Sequence, residues 1–89
     1  IQVDLESRAV TVDDQTVPLT PKEYDLLLFF ARNAQQAFSR DALLDLVWGQ
    51  SFDGTDRTVD SHVKSLRGKI KPYQDYIVTV WGYGYKFSP

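Results

Sequence analysis

The 89 residues contain no cysteine and only one histidine, His62. Without cysteine there is no disulfide framework and no thiolate metal site. One histidine, no cysteine and no glycine-rich phosphate loop leave no nucleophile–base pair and no set of metal ligands. A catalytic role, a metal and a cofactor are therefore not expected. No apolar run approaches the roughly 20 residues that a membrane-spanning helix needs. No signal-peptide pattern, internal repeat or low-complexity stretch is visible. What is present is enough for one small domain spanning 1–89: 43% hydrophobic residues, with five Phe, five Tyr and two Trp. The formal net charge is −2 and the pI near 5.1, which argues against nonspecific nucleic-acid binding by the whole surface.

One stretch runs against that acidic background. Arg57–Lys71, RTVDSHVKSLRGKIK, holds five Lys/Arg and one acid, Asp60, for a net of +4; the rest of the chain carries −6. At about 100° per residue, Val59, Val63, Leu66 and Ile70 form one apolar stripe. Arg57, Ser61, Lys64, Ser65 and Gly68 lie opposite, with His62, Arg67, Lys69 and Lys71 on the flanks. A basic helix on an acidic body is either a local electrostatic footprint or a solvated lysine-rich face.

The neighbouring segments bear on that choice. Residues 1–19 alternate with period two (Ile1, Val3, Leu5; Val10, Val12), broken by polar turns at Glu6-Ser7-Arg8 and Asp13-Asp14-Gln15. This predicts an antiparallel meander that needs a helical layer over its apolar face. Thr20-Pro21-Lys22-Glu23 is a capping box with proline at the first helical position. The helix it opens, apolar nearly all round from Leu26 to Phe30, is expected to be central and to end near Arg32-Asn33. Ser39 caps a second helix, whose buried stripe is Leu43, Leu44, Val47 and Trp48 and which Gly49 stops. Asn33–Phe38 is expected to be a short link with Phe38 anchored in the core. A longer loop, 49–56, precedes the basic helix. Phe52 within it either tucks onto the core or meets a partner. After Pro72, Tyr76–Val80 and Tyr85–Phe87 read as two strands joined by Trp81-Gly82-Tyr83-Gly84, both glycines expected at positive φ. A glycine-tipped hairpin after an amphipathic helix is a wing. The fold class expected is α+β: a winged helix-turn-helix with an N-terminal antiparallel sheet, three helices and a C-terminal β-hairpin wing.

LTPKEYDLL (Leu19–Leu27), SRDALLDLVWG (Ser39–Gly49), DRTVDSHVKSLRGKI (Asp56–Ile70) and TVWGYGYKF (Thr79–Phe87) together resemble the C-terminal effector domain of OmpR/PhoB-type response regulators. The resemblance runs over essentially the whole chain, in four blocks of matching order and spacing. It implies sequence-specific double-stranded DNA binding in transcription control, as the output of a two-component phosphorelay in the bacterial cytoplasm. The third helix is then expected in the major groove and the hairpin in the adjacent minor groove. Two copies are expected head-to-tail on direct repeats, as a tandem homodimer. The loop carrying Phe52, Asp53 and Gly54 matches the one that touches RNA polymerase. Ile1 is not a methionine, and the chain is expected to be excised from a longer regulator whose N-terminal receiver domain answers to a sensor kinase.

The DNA-contact candidates are distributed over three elements. Arg57 matches a DNA- or phosphate-contacting arginine of the family motif, its alternative being an ion pair with Asp53, Asp56 or Asp60. Ser61, Lys64 and Ser65 project toward base edges, Lys64 toward guanine acceptors or a phosphate. Many family members carry a larger or basic residue where Ser65 stands. His62 is a flank residue, a phosphate contact or plain surface. Arg67 is tied in the family to acids or to phosphate. Arg40, at the N-terminus of the second helix, is placed for a phosphate. Thr79 matches a phosphate-binding threonine of the hairpin, and Trp81 stands where many relatives have an arginine. Two alternatives stay open: a winged helix used as a protein-interaction module, and the DNA-binding domain of a membrane-anchored or receiver-less regulator. Neither implies membrane contact by this domain.

Overall fold

In the computed structural model, which describes residues 1–89, the first 17 residues form an antiparallel sheet of β1 (Gln2–Asp4), β2 (Ala9–Val12) and β3 (Gln15–Val17). Val3 opposes Val10, which opposes Val17. This register puts one face inward: Val10 and Val12 are buried, with Val3 and Val17 packed beside them. Leu5 does not extend that face. The Asp4 carboxylate accepts the Glu6 N–H at 3.0 Å and starts the turn there, leaving Leu5 exposed.

Helix α1 (Pro21–Arg32) begins at the expected box: the Thr20 hydroxyl accepts the Glu23 N–H at 3.2 Å, and Glu23 Oε1 accepts the Thr20 N–H at 2.8 Å. Two of the donors left over at the helix start are thereby satisfied. The helix ends at Asn33, whose side-chain amide donates to the Phe29 carbonyl at 2.9 Å. As its composition demands, α1 is central, with Leu26, Leu27 and Phe30 no more than 1% exposed.

The 33–38 segment departs from a simple link. Ala37–Ser39 is a strand, β4, and pairs with the C-terminal hairpin. Its three residues are too short for a periodicity to show; the pairing is specified from the far end of the chain. Ser39 then caps α2 (Arg40–Leu43) through the Ala42 N–H. The helix widens into one π turn over Leu44–Trp48, closed by Gly49 N–H to Leu44 O at 2.9 Å, and Gly49 at φ 104° stops it. Of the expected stripe, Leu43 is fully buried, and Leu44, Val47 and Trp48 are half-buried.

Helix α3 (Asp56–Lys69) supplies Val59, Val63 and Leu66 to the core, followed by Ile70, all four at 0% exposure. Burial of side chains of this size stabilises by roughly 2 kcal/mol each, and together they fix which face of α3 points outward. A short 3₁₀ turn (Gln74–Tyr76) leads to β5 (Ile77–Val80) and β6 (Gly84–Phe87). With β4 these form a second sheet of order β4-β6-β5. Phe87 stacks on Phe30 at 6.3 Å, joining this sheet to α1.

Candidate nucleic-acid interface

The three buried side chains of α3, with Ile70 after it, leave Arg57, Ser61, Lys64, Ser65 and Gly68 on its outer face. Arg57, Ser61 and Lys64 are exposed and make no side-chain hydrogen bond or ion pair within the domain. The acids that flank Arg57, Asp53, Asp56 and Asp60, do not hold it. Two unspent cations one helical turn apart from a small hydroxyl are a surface ready for an anion.

The other cations of the helix are spent. Lys69 Nζ meets Glu23 Oε1 at 2.6 Å, and the Ser65 hydroxyl donates to Glu23 Oε2. Ser65 is exposed, as its helical angle suggests, but its proton is committed to the first turn of α1, which leaves its oxygen only as an acceptor. Glu23 is 3% exposed. Burial alone would raise its carboxyl, but the Lys69 ammonium, the Ser65 hydroxyl and the Thr20 N–H outweigh that and hold it at about 2.

Arg67 lies on the flank and has no acid partner. Its Nε donates to the Ile77 carbonyl at 3.1 Å and its Nη2 to Thr79 Oγ1 at 2.9 Å. The two predicted contacts thus bind each other and tie α3 to the hairpin. Thr79 acts here as acceptor, so its own hydroxyl proton stays available to a phosphate oxygen. His62 Nδ1 sits 2.8 Å from the Thr58 carbonyl and so carries the proton; the ring is edge-on to Trp48 at 5.0 Å. It packs α3 on α2 with Nε2 directed away from that bond.

Arg40 belongs to a cluster that the sequence did not assemble. Its Nε donates to Asp60 Oδ1 at 2.8 Å, and the Tyr85 hydroxyl donates to the same oxygen at 2.6 Å. The Arg40 and Arg67 guanidiniums each lie 5.5 Å from the Tyr85 ring centroid. Burial would raise the Asp60 carboxyl; the phenol and the guanidinium lower it below the usual carboxylate range. Burial and the adjacent Asp60 push the Tyr85 phenol up. One hint was legible: Asp60 is the single acid inside a basic stretch. Its partners were not, because Arg40 and Tyr85 are 20 and 25 residues away.

The hairpin tip projects beyond this cluster. Trp81 is 90% exposed and Tyr83 half exposed, on either side of Gly82 at φ 75°. In the loop before α3, Phe52 does not enter the core. It is 47% exposed, and its ring lies against Gly54, where an added Cβ would come within 2.3 Å of it. No group of His, Cys, Asp or Glu is arranged to hold a metal ion.

The arrangement has known counterparts. A family profile described as "Transcriptional regulatory protein, C terminal" matches residues 14–87. The uncharacterized transcriptional regulatory protein YclJ of Bacillus subtilis is 46% identical over 88 residues, covering 97% of this chain and 39% of its own length. The chain therefore spans well under half of that relative. Among solved structures, the DNA-binding domain of Bacillus subtilis CssR superposes with a TM-score of 0.86 at 37% identity, covering 97% of both chains. The Klebsiella pneumoniae RstA DNA-binding domain in complex with the RstA box superposes with a TM-score of 0.83 at 37% identity, covering 98% of this chain and 89% of that one.

Proposed function

Because the chain belongs to the transcriptional regulatory protein C-terminal family, the winged-helix effector domains of OmpR/PhoB-type response regulators, we propose that it reads double-stranded DNA with the outer face of α3 and the hairpin tip. The family is one of transcriptional regulators and not of enzymes. The observation that carries the assignment of residues is the unspent pair Arg57 and Lys64 on the only face of α3 that the core leaves uncovered. Lys64 is placed for base edges or a phosphate, Ser61 for a weaker contact beside it, and Arg57 for the backbone. Arg40, Arg67, His62 and Thr79 hold or supplement backbone contacts at the edges. Ser65, exposed and with its proton given to Glu23, is placed to accept a contact beside them.

Binding of labelled duplexes, selected from a random library and followed by anisotropy at several salt concentrations, tests this. Lys64→Ala is expected to weaken the selected sequence about tenfold. Arg57→Ala is expected to weaken all sequences alike and to reduce the salt slope by about one. No saturable binding by the parent domain at low salt would sink the reading.

Around this core, the whole regulator is proposed to carry a receiver domain controlled by a sensor kinase, to work in the cytoplasm, and to pair head-to-tail on direct repeats. Phe52, Asp53 and Gly54 are proposed to meet RNA polymerase; the exposed ring of Phe52 supports that reading. No helix is long and apolar enough to cross a membrane. One observation favours a protein partner at the wing instead: Trp81 offers 90% of its surface and no charge. Trp81→Ala is expected to leave the melting temperature within about 2 °C, since an exposed residue contributes little to stability. If the indole lies against sugar or base, the same change weakens DNA binding several-fold. If DNA affinity is unchanged, the protein-partner reading of the wing gains.

A further inference from the structure

An acid on a DNA-facing helix should repel DNA, yet Asp60 sits between the exposed Arg57 and Lys64 of α3, one turn from each. Its position is explained by what it holds. A single oxygen, Oδ1, accepts from Arg40 Nε of α2 and from the Tyr85 hydroxyl of β6, at 2.8 and 2.6 Å. One carboxylate thereby joins the three elements that would touch DNA: α2 by its first residue, α3 by its own backbone, and the wing by the strand that leads from its tip. The guanidinium of Arg40 is gripped through Nε alone. Its two terminal nitrogens pair with no carboxylate in the domain and can donate to a phosphate. Arg67, also close to the Tyr85 ring, fastens α3 to Thr79 of β5, so the wing is held at both of its strands.

We infer that Asp60 is a positioning residue for DNA recognition. It sets the orientation of Arg40 and the angle between the wing and α3, and the discrimination between sequences depends on it. The inference rests on the DNA-binding reading given above. It opposes simple electrostatics, in which any loss of negative charge from this face tightens binding to every duplex alike. A misplaced wing and a loose Arg40 act differently. They leave attraction to the backbone intact but spoil the register in which α3 meets base edges, because backbone contacts fix register and base contacts specify sequence.

The test is Asp60→Asn in the whole domain, at 25 °C and fixed salt, with affinity measured for the selected duplex and for a scrambled duplex of equal length. Circular dichroism establishes that both proteins are fully folded at that temperature. The expected result is a fall of about tenfold in affinity for the selected duplex, the loss typical of one charge-assisted hydrogen bond, with scrambled binding unchanged or tighter. Tyr85→Phe keeps the ring and removes only the O–H donor; it is expected to shift the ratio in the same direction by about threefold. The effect of Asp60→Asn is further expected to shrink in an Arg40→Ala background, since the two residues act as a unit. An unchanged or improved ratio in both Asp60→Asn and Tyr85→Phe overturns the inference. So does an equal loss on both duplexes, which is the mark of a purely structural residue. If the parent domain itself fails to discriminate, the DNA-binding reading falls and this inference with it.

Discussion

Replacing Gly84 by alanine is expected to destabilise the domain by about 3 kcal/mol, the upper range for forcing an atom into a packed backbone contact. For a domain of this size that lowers the melting temperature by roughly 15 °C. Gly84 is the first residue of the central strand of the second sheet, opposite Ser39 on one side and Val80 on the other. A Cβ there would lie 2.0 Å from the Phe38 carbonyl oxygen and 2.9 Å from the Ser39 Cα. Both are backbone atoms, so no rotamer change relieves the clash; β4 must move away from β6. Because α2 starts directly after β4, that movement also displaces Arg40. Gly82 provides the comparison. Its φ of 75° asks for glycine, but nothing lies within 4 Å of the added carbon. Gly82→Ala is accordingly expected to cost only about 1 kcal/mol. Calorimetric melting of the two variants checks the pair, and a shift of less than about 3 °C for Gly84→Ala would mean that the two strands separate cheaply.

The second large effect is expected at Glu23. Its folded-state value of about 2 lies below the ordinary 4.5. A carboxylate depressed in this way stabilises the fold above about pH 4.5 and loses that contribution as pH falls toward 2. The gap corresponds to roughly 3 kcal/mol; because the Lys69 side chain keeps 35% of its surface in solvent, about 2 kcal/mol is the better expectation. Glu23→Gln should therefore lower stability by about that amount at pH 7 and by little near pH 2.5. Denaturant melts of parent and variant across pH 2 to 7 measure this directly. Curves that stay parallel over the whole range would show that the charge of Glu23 adds nothing to stability.

These two positions also mark where local pattern stopped being informative. The Thr20–Glu23 box was legible because both its partners lie within one helical turn, and α1 starts where the box places it. That the same carboxylate also receives Ser65 and Lys69 was not legible, since those residues are 42 and 46 positions away. Helical angle shows that Ser65 is exposed, but not that its proton is already given to Glu23. Gly84 shows the same boundary from the other side. Beside Gly82 it looked like a second turn glycine, but only Gly82 has a positive φ. Gly84 is needed because a strand from residues 37–39 passes against it, and three residues without alternation gave no sign that they form one.

What the sequence by itself determined are the features set by local backbone preference and by period. These are the two helix starts at Thr20 and Ser39, the stop at Gly49, the apolar stripe of α3 and the order of sheet, helices and wing. Each depends on interactions a few residues apart, which composition and spacing display. Tertiary structure alone decided which of the charges on α3 are free. Arg57 and Lys64 remain unspent, whereas Lys69 goes to Glu23, Arg67 to the hairpin, and Asp60 to Arg40 and Tyr85. A charge is spent only when folding brings a distant partner within about 3 Å, and distance in space is not written in the periodicity of a chain.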